Sequence, residues 1–420
     1  MKKIYCLLVL FAAACINISC TGEVDDIFDK SASERIEDAI KSDTEILTSA
    51  ANGWVMYYYG NKNYGGYNVL CKFNKDNTVN VSSEFYDSKE VATSHYKVEQ
   101  SAGVVLSFDE YNEIFHWFSD PVNPSGIGTN GQGFEGDLEF RVISATPEKI
   151  ILKGKKTENK IVMVPVPSGM SWEDYFSAVE SAEADMAFAQ YYYVVGTDSA
   201  LVTSSNRNLN YSYVDSTGVV VNKKTPYVVT PEGYVLYEDM TIFGTNTEKL
   251  TYKGGDKYEF DSPSGIAKMY GQLPPINEYL NDGTDWYATY KDAGSTCQAM
   301  WDQAREGIVN QTAFSGEFDL RYLNYQSNVL YVYISYWGYL KMKCTLIGDN
   351  QVKIEYDTYG NNNALLFLQN ITDFEKTYLP FVGTFTITTD NGRNPTWIRL
   401  TSNSDPNQYI TLFKQQYTVY

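Results

Sequence analysis

Histidine is almost absent from this sequence, and its scarcity limits the chemistry that the chain can perform. Only two histidines, His95 and His116, occur among 420 residues. Two histidines are too few for a histidine-rich zinc site. They also leave few candidates for the histidine of a Ser-His-Asp or Cys-His catalytic site. The GxSxG, HExxH, P-loop and EF-hand patterns are missing as well. We therefore expect a protein without a catalytic residue, a metal site or a cofactor.

Positive charge is also scarce. The chain has 33 Lys and Arg against 52 Asp and Glu, and its net charge is −19. A surface of that sign repels nucleic acid and anionic lipid headgroups, so we expect neither as a partner. Solubility alone accounts for much of this acidity.

Long apolar runs are absent except at the N-terminus, which reads MKKIYCLLVLFAAACINISC. Lys2 and Lys3 precede an apolar stretch at residues 4–14. That stretch is too short to span a bilayer and is typical of a secretory signal. We predict a signal peptide at residues 1–19.

The end of this leader, NISC, suits a lipoprotein signal peptidase that leaves Cys20 as the new N-terminus. Asn17 stands where leucine is usual, and Cys15 is a rival cleavage position. We predict lipidation of Cys20. Its acyl chains would form a stable anchor, at about 0.8 kcal/mol per buried methylene.

An acidic tether follows at residues 20–30. It carries Glu23, Asp25, Asp26 and Asp29. This cluster resembles the export signal of Bacteroides-type lipoproteins that reach the outer cell surface, although a solvated tether would have the same composition. We expect an outer-membrane protein that faces the cell exterior.

Cysteine is sparse beyond the leader. Cys71, Cys297 and Cys344 remain, and none belongs to a CxxC pair. Three cysteines cannot all pair with one another, so we expect small buried hydrophobic residues. A disulfide between Cys297 and Cys344 remains an alternative.

Three helices are predicted from caps and apolar stripes. The first begins with a capping box of Ser31 and Glu34 and ends at Gly53. The second begins at Ser171 and the third at Ser295. Their narrow apolar stripes indicate helices that pack against a neighbouring sheet.

Most of the remaining chain predicts short strands. The sequence contains 36 tyrosines, which favour half-buried pleated surfaces. Eight strands at 54–166, a further set at 191–272 and about eight after 276, including ALLFLQNI, predict an all-β, mainly antiparallel fold with a few short helices. We expect two lipocalin-like, barrel-like or sandwich β domains. The predicted segments are a helix plus barrel at 31–170, a helix and middle β region at 171–275, and a C-terminal β domain at 276–420.

One stretch, GWVMYYYGNKNYGGYNVLCKF, is unusually aromatic. Most of its rings fit a strand that is covered on one face. Tyr64 and Tyr67 differ, because they flank two glycines in a predicted turn where rings are hard to bury. We include them among the candidate ligand-binding residues, together with Trp337 in SYWGY, and ordinary packing at the barrel rim is the alternative.

A long Gly-, Pro- and Asn-rich segment at 119–136 belongs to no predicted strand. Such loops at a barrel rim are often either binding loops or mobile tips. His116 and Trp117 precede it directly, so we include both among the candidate ligand-binding residues. A strand-end histidine with a satisfied hydrogen bond is the plainer interpretation of His116.

A carboxylate pair offers the one route to hydrolysis. Asp137 and Glu139 lie two residues apart, on one face of a predicted strand. Glycosidases use such pairs, but a chain with 52 acidic residues forms them by chance.

Several stretches together resemble a known family. FDKSASERI, GWVMYYYGNKNYGGYNVLCKF, SFDEYNEIFHWFSDP, GFEGDLEF, ILKGKKTENKIVMVPV and SWEDY are similar to Bacteroides-type lipoproteins that contain domain of unknown function 4302. The resemblance is most specific at 28–165. It implies a genomic setting beside SusC/SusD-like outer-membrane importers of glycans or peptides, and it assigns no catalytic residue.

These observations favour a non-catalytic, lipid-anchored binding protein that captures a glycan or peptide or assists a SusC/SusD-like importer. A structural or interaction subunit of an outer-membrane complex, without a small ligand, is the alternative. A carboxylate-based hydrolase is the third hypothesis.

Overall fold

In a computed structural model, the chain is described over residues 30–87, 89–122, 126–311, 320–334 and 338–414. The predicted signal peptide, Cys20 and Trp337 lie outside these residues. Within them, no helix combines the length and apolarity that a membrane span requires.

The all-β, mainly antiparallel fold class is confirmed, and helices are few. The strands form three barrel-like sheets where two were expected. The helices of the described residues are α1 (Ala32–Leu47), α2 (Glu113–His116), α3 (Trp172–Asp185), α4 (Ser295–Gln311) and α5 (Asn362–Asn370).

The first sheet has nine strands in the order β4-β3-β2-β1-β9-β8-β7-β6-β5. Its edge strands β4 and β5 follow one another in the chain, separated only by Tyr96, so the sheet curves round on itself. The Tyr96 ring is buried and its hydroxyl donates to the Asn74 carbonyl. The strands are β1 (Trp54–Tyr58), β2 (Tyr67–Phe73), β3 (Thr78–Ser83), β4 (Ala92–His95), β5 (Lys97–Gln100), β6 (Val104–Ser107), β7 (Glu139–Ala145), β8 (Ile150–Gly154) and β9 (Lys160–Pro165).

Helix α1 begins with the predicted capping box. The Glu34 amide donates to the Ser31 hydroxyl, and the Ser31 amide donates back to the Glu34 carboxylate. At its other end, the buried Trp54 indole donates to the Leu47 carbonyl over 2.8 Å. This bond fastens the helix to the first strand of the sheet.

The middle strands close into a barrel of their own in sequential order. The strands expected within 191–272 were RNLNYSYV, TPYVVT, GYVLYEDMTIFG, EKLTYKG and KYEFDS, and strands β10, β11 and β17 lie outside those segments. The set is β10 (Gln190–Val195), β11 (Asp198–Ser205), β12 (Asn208–Val214), β13 (Val220–Thr230), β14 (Gly233–Ile242), β15 (Thr245–Gly254), β16 (Glu259–Asp261) and β17 (Ala267–Gln272).

A second closed barrel contains the last eight strands. The prediction of a strand for ALLFLQNI is wrong: the segment forms most of α5, because the Asn361 side chain caps the amide of Ala364 over 3.0 Å. The strands are β18 (Trp286–Ala288), β19 (Leu320–Gln326), β20 (Val329–Ile334), β21 (Gly338–Ile347), β22 (Gln351–Tyr359), β23 (Gly383–Thr389), β24 (Trp397–Ser402) and β25 (Tyr409–Phe413).

Contacts divide the chain into two units. Among the described residues, the first comprises those up to 185, 204–252 and 262–265, and it contains the nine-stranded sheet and strands β12 to β14. The second comprises the described residues of 186–203, 253–261 and the chain from 266 onward, and it contains the C-terminal barrel.

Cys71, Cys297 and Cys344 are free and buried. Burial raises the pKa of all three thiols, to about 12 for Cys297 and for Cys344. For the chain from residue 22, we predict three thiols in denaturant and almost no reaction of the native protein with a thiol reagent at pH 8, since the thiolate is the reacting form. Titration with Ellman's reagent measures both values. A single thiol in denaturant would instead support the disulfide between Cys297 and Cys344.

Candidate functional site

Three of the rings predicted to contact a ligand, those of Tyr64, Tyr67 and Trp117, gather in the aromatic core of the first unit. The prediction that Tyr67 is exposed in a turn is wrong, because its side chain is only 5% exposed. Its ring centroid lies 4.5 Å from that of Phe85 and 5.2 Å from that of Phe134. Because strand β2 begins at Tyr67, the alternation of the strand turns this ring inward.

Tyr64 lies closer to the surface and is half-buried. Its ring meets Phe134 edge-on at 6.1 Å, and its hydroxyl is 3.5 Å from that of Thr129. The adjacent Gly65 has φ +76°, and a Cβ there would lie 2.4 Å from the Cβ of Arg207. The turn therefore requires glycine, and Tyr64 holds part of the segment at 119–136 in place.

That segment is anchored at its C-terminal end. Phe134 is 2% exposed, and its carbonyl accepts from the Asn61 amide over 2.7 Å. The Gly136 amide donates to the Phe118 carbonyl over 2.9 Å. These bonds tie the described end of the loop to the aromatic core.

His116 ends the short helix α2, and Trp117 follows it directly. The Trp117 ring lies 4.1 Å from Phe85 and 5.4 Å from Phe134, and it is half-buried. His116 places Nδ1 2.9 Å from the Asn112 carbonyl, so the plainer interpretation of a satisfied histidine describes it well. The structure thus brings Tyr64, Tyr67 and Trp117 together around Phe134.

A groove of about 500 Å³ opens beside this cluster. Phe85, Tyr86 and Phe176 contribute aromatic surface to its lining. Its charged residues are one arginine, Arg207, and four carboxylates, which leaves a formal charge of −3. The carboxylates belong to Glu84, Asp87, Glu180 and Glu183.

Arg207 organises one wall of the groove through all five of its N–H groups. Nη1 and Nη2 each donate to Glu84 over 2.9 Å, as a bidentate pair. Nε and Nη2 donate to Glu183 over 3.0 and 2.7 Å, and Nη1 also reaches the Gly66 carbonyl over 3.1 Å. A guanidinium has no further donor, so Arg207 has none left for a ligand.

The Tyr67 ring lies 4.5 Å from the Arg207 guanidinium carbon. Burial raises the pKa of Tyr67 to about 12, although the Arg207 charge alone would lower it. The Asn68 side-chain amide donates to Glu84 and to the Val229 carbonyl, and its oxygen accepts from the Tyr175 hydroxyl. The wall of the groove is therefore a connected and preorganised network.

A second cavity, of about 650 Å³, contains the carboxylate pair. Asp137 is 4% exposed and accepts from the amides of Lys156 and Thr157 over 2.7 and 3.0 Å. Glu139 pairs with Lys155 over 3.1 Å. Asp137 thus holds the turn between β8 and β9, and both carboxylates already have partners. Within the described part of the chain, no three His, Cys, Asp or Glu side chains are grouped to hold a metal ion.

Sequence reasoning missed the Arg207 network. Its members Glu84, Glu183 and Arg207 come from three separate segments of the chain, and no spacing links them. The one local signal is Asn206-Arg207, where both residues have positive φ in a turn between β11 and β12. Asparagine is common in such turns, whereas arginine is not.

We predict that Arg207→Ala lowers the free energy of unfolding by about 3 kcal/mol, because it leaves the nearly buried Glu84 carboxylate without its charge partner. Urea unfolding followed by tryptophan fluorescence measures the change. Arg305→Ala, at an exposed position of α4, is the control and should change stability by less than about 0.5 kcal/mol. Equal effects of the two substitutions would contradict the structural role of Arg207.

Comparisons with known proteins add a family. No curated protein matches the chain. Among solved structures, the DNA polymerase III β chain of Streptococcus pneumoniae TIGR4 is 12% identical, with 91% of this chain and 98% of that chain covered, at a TM-score of 0.10. The DNA polymerase III β subunit of Borrelia burgdorferi is also 12% identical, with 91% of this chain and 97% of that chain covered, at a TM-score of 0.11. TM-scores this low are no evidence of a shared fold or function. The profile of the domain of unknown function DUF4302 matches residues 24–254, more than half of the chain, and the protein therefore belongs to the DUF4302 family.

Proposed function

We propose that this protein is a non-catalytic binding protein, anchored in the outer membrane through lipidated Cys20 and facing the cell exterior. Its task is to capture a glycan or peptide, or to assist a SusC/SusD-like importer of such nutrients. The leader and the acidic tether of the sequence support the location. The groove beside Arg207 supports the binding role.

The preorganised wall of the groove is the observation that carries the proposal. A volume of about 500 Å³ lies within the range of small-ligand sites, and side chains of both apolar and polar kinds contribute to it. Arg207 and Glu84 are fixed by their mutual bonds before any ligand arrives. A ligand therefore loses little free energy to ordering of that wall.

The charge of the groove favours one ligand chemistry. Asp87 and Glu180 are exposed carboxylates of the lining, and neither forms an ion pair in the described structure. Together with Phe85 and Phe176 they suit a cation on an apolar stem, such as a lysine or arginine side chain of a peptide. The same charge repels anionic ligands. Of the two candidate ligand classes, this groove favours a basic peptide.

An anchored capture protein fits an uptake system. A ligand held near the membrane surface is presented to a neighbouring importer at high effective concentration, even when the affinity is modest. A role as a structural subunit without a small ligand would require no such groove.

We predict that the chain from residue 22 binds basic members of a peptide array, with micromolar affinity or better by calorimetry. Glu180→Lys should weaken that binding by about tenfold or more, because it reverses a charge at the groove. Glu45→Lys makes the same change at an exposed position of α1, away from the groove lining, and should leave affinity unchanged. A blank on both peptide and glycan arrays would refute capture by the isolated protein and favour the structural role.

A further inference from the structure

The C-terminal barrel carries a patch of tyrosines on its outer face. Tyr333 of β20 lies directly opposite Tyr339 of β21, and Tyr331 lies directly opposite Lys341. The ring centroids of Tyr333 and Tyr339 are 5.3 Å apart at 29°, and those of Tyr331 and Tyr333 are 6.2 Å apart at 28°. We call Tyr331, Tyr333, Tyr339, Lys341 and Lys343 the tyrosine face.

Strand alternation determines this placement. Leu330, Val332 and Ile334 of β20 are at most 1% exposed and belong to the barrel core. The residues between them therefore point outward, and Tyr331 and Tyr333 are half-buried rather than buried. The apolar core is already complete without these rings.

The two lysines give the face a positive charge in a chain of net charge −19. Lys341 and Lys343 follow Tyr339 at alternate positions of β21, and neither forms an ion pair within 4 Å among the described residues. Glu355, opposite Lys343, is bonded instead to Lys353 over 2.7 Å. Its pKa is lowered by that bond first and by the charge of Lys343 to a smaller extent.

An independent observation points to a ligand rich in acceptor oxygens. Asn324 of β19 lies directly opposite Tyr331 and so shares its face of the sheet. The residue is 8% exposed, yet its Nδ2 has no hydrogen-bond acceptor in the described structure. Buried donors without a partner are rare in native proteins. Because this nitrogen is buried, a ligand hydroxyl or ring oxygen would supply the acceptor once a covering side chain moves aside.

We propose that the tyrosine face binds an acidic polysaccharide. The rings of Tyr331, Tyr333 and Tyr339 pack against the C–H surfaces of sugar rings. Lys341 and Lys343 pair with carboxylate or sulfate groups of the polymer. This site is separate from the acidic groove of the first unit, and it does not depend on the function proposed for that groove.

A single-stranded nucleic acid also stacks on aromatic rings above lysines. The net charge of −19 opposes a polyanion as densely charged as nucleic acid. That charge opposes the acidic polysaccharides as well, since each sugar of polygalacturonate carries a carboxylate as each nucleotide carries a phosphate. A polysaccharide is favoured because its hydroxyl groups supply part of the binding through hydrogen bonds. The acidic polysaccharide is therefore the occupant that these residues favour.

The test is affinity electrophoresis of the full mature protein in detergent, with gels that contain polygalacturonate, chondroitin sulfate or neutral dextran. We expect an acidic polymer to retard the protein, and we expect this retardation to weaken as salt is added. Neutral dextran should cause no retardation. The two acidic gels distinguish carboxylate from sulfate recognition. Lys341→Gln, which removes a charge without touching the core, should reduce the apparent affinity at least fivefold. Tyr333→Ala should reduce it at least tenfold.

Lys257→Gln and Tyr111→Ala are the matched controls, since both residues are exposed and lie outside the tyrosine face. Circular dichroism verifies the fold of every variant. Absence of retardation by both acidic polymers would overturn the proposal, as would equal retardation by dextran. Unchanged binding of the folded Lys341→Gln variant, or tighter binding of oligo-dT than of either polysaccharide, would overturn it too. Failure of the peptide array has no bearing on this result.

Discussion

The salt bridge between Arg207 and Glu84 is the interaction on which the N-terminal unit most depends. It joins the turn after β11 to the end of β3, and Glu183 of α3 joins the same guanidinium. A charge this deeply buried is stable only when every donor is used, and all five are. The network therefore fixes the position of a helix, a strand end and a turn at once. Arg207 is the one cationic side chain among the described lining residues of the groove, and its charge is already paired within this network.

Tyrosine side chains have two roles in this structure. Tyr58 and Tyr67 are buried among phenylalanines, where each ring supplies apolar area and each hydroxyl or ring face finds a polar partner. In the C-terminal barrel, Tyr331 and Tyr339 remain on the outer face, because the inward positions are filled by aliphatic residues. The same residue type is thus architecture in one place and accessible surface in another.

Much of the fold follows from local patterns. Alternation and turn residues predict eight of the nine strands of the first sheet and miss β4, and the capping box at Ser31 predicts the start of α1. Where the pattern is ambiguous, prediction fails: ALLFLQNI is an apolar run that suits a strand or a helix, and the cap at Asn361 decides for the helix. The candidate site was predicted less well. Tyr64, Tyr67 and Trp117 do lie together, but Tyr67 is buried, and the charged residues of the groove were not foreseen.

The sequence by itself determined the fold class, the shortage of histidine and the family to which the chain belongs, because composition and short-range periodicity are properties of neighbouring residues. Only the tertiary structure decided which rings are buried and which carboxylates have partners. Tyr67 is buried because Phe85, Phe134 and Arg207 surround it. The Asp137 carboxylate is hydrogen-bonded because the turn between β8 and β9 folds over it. Those neighbours are distant in the chain. Long-range pairing of strands brings them together, and no local pattern encodes it.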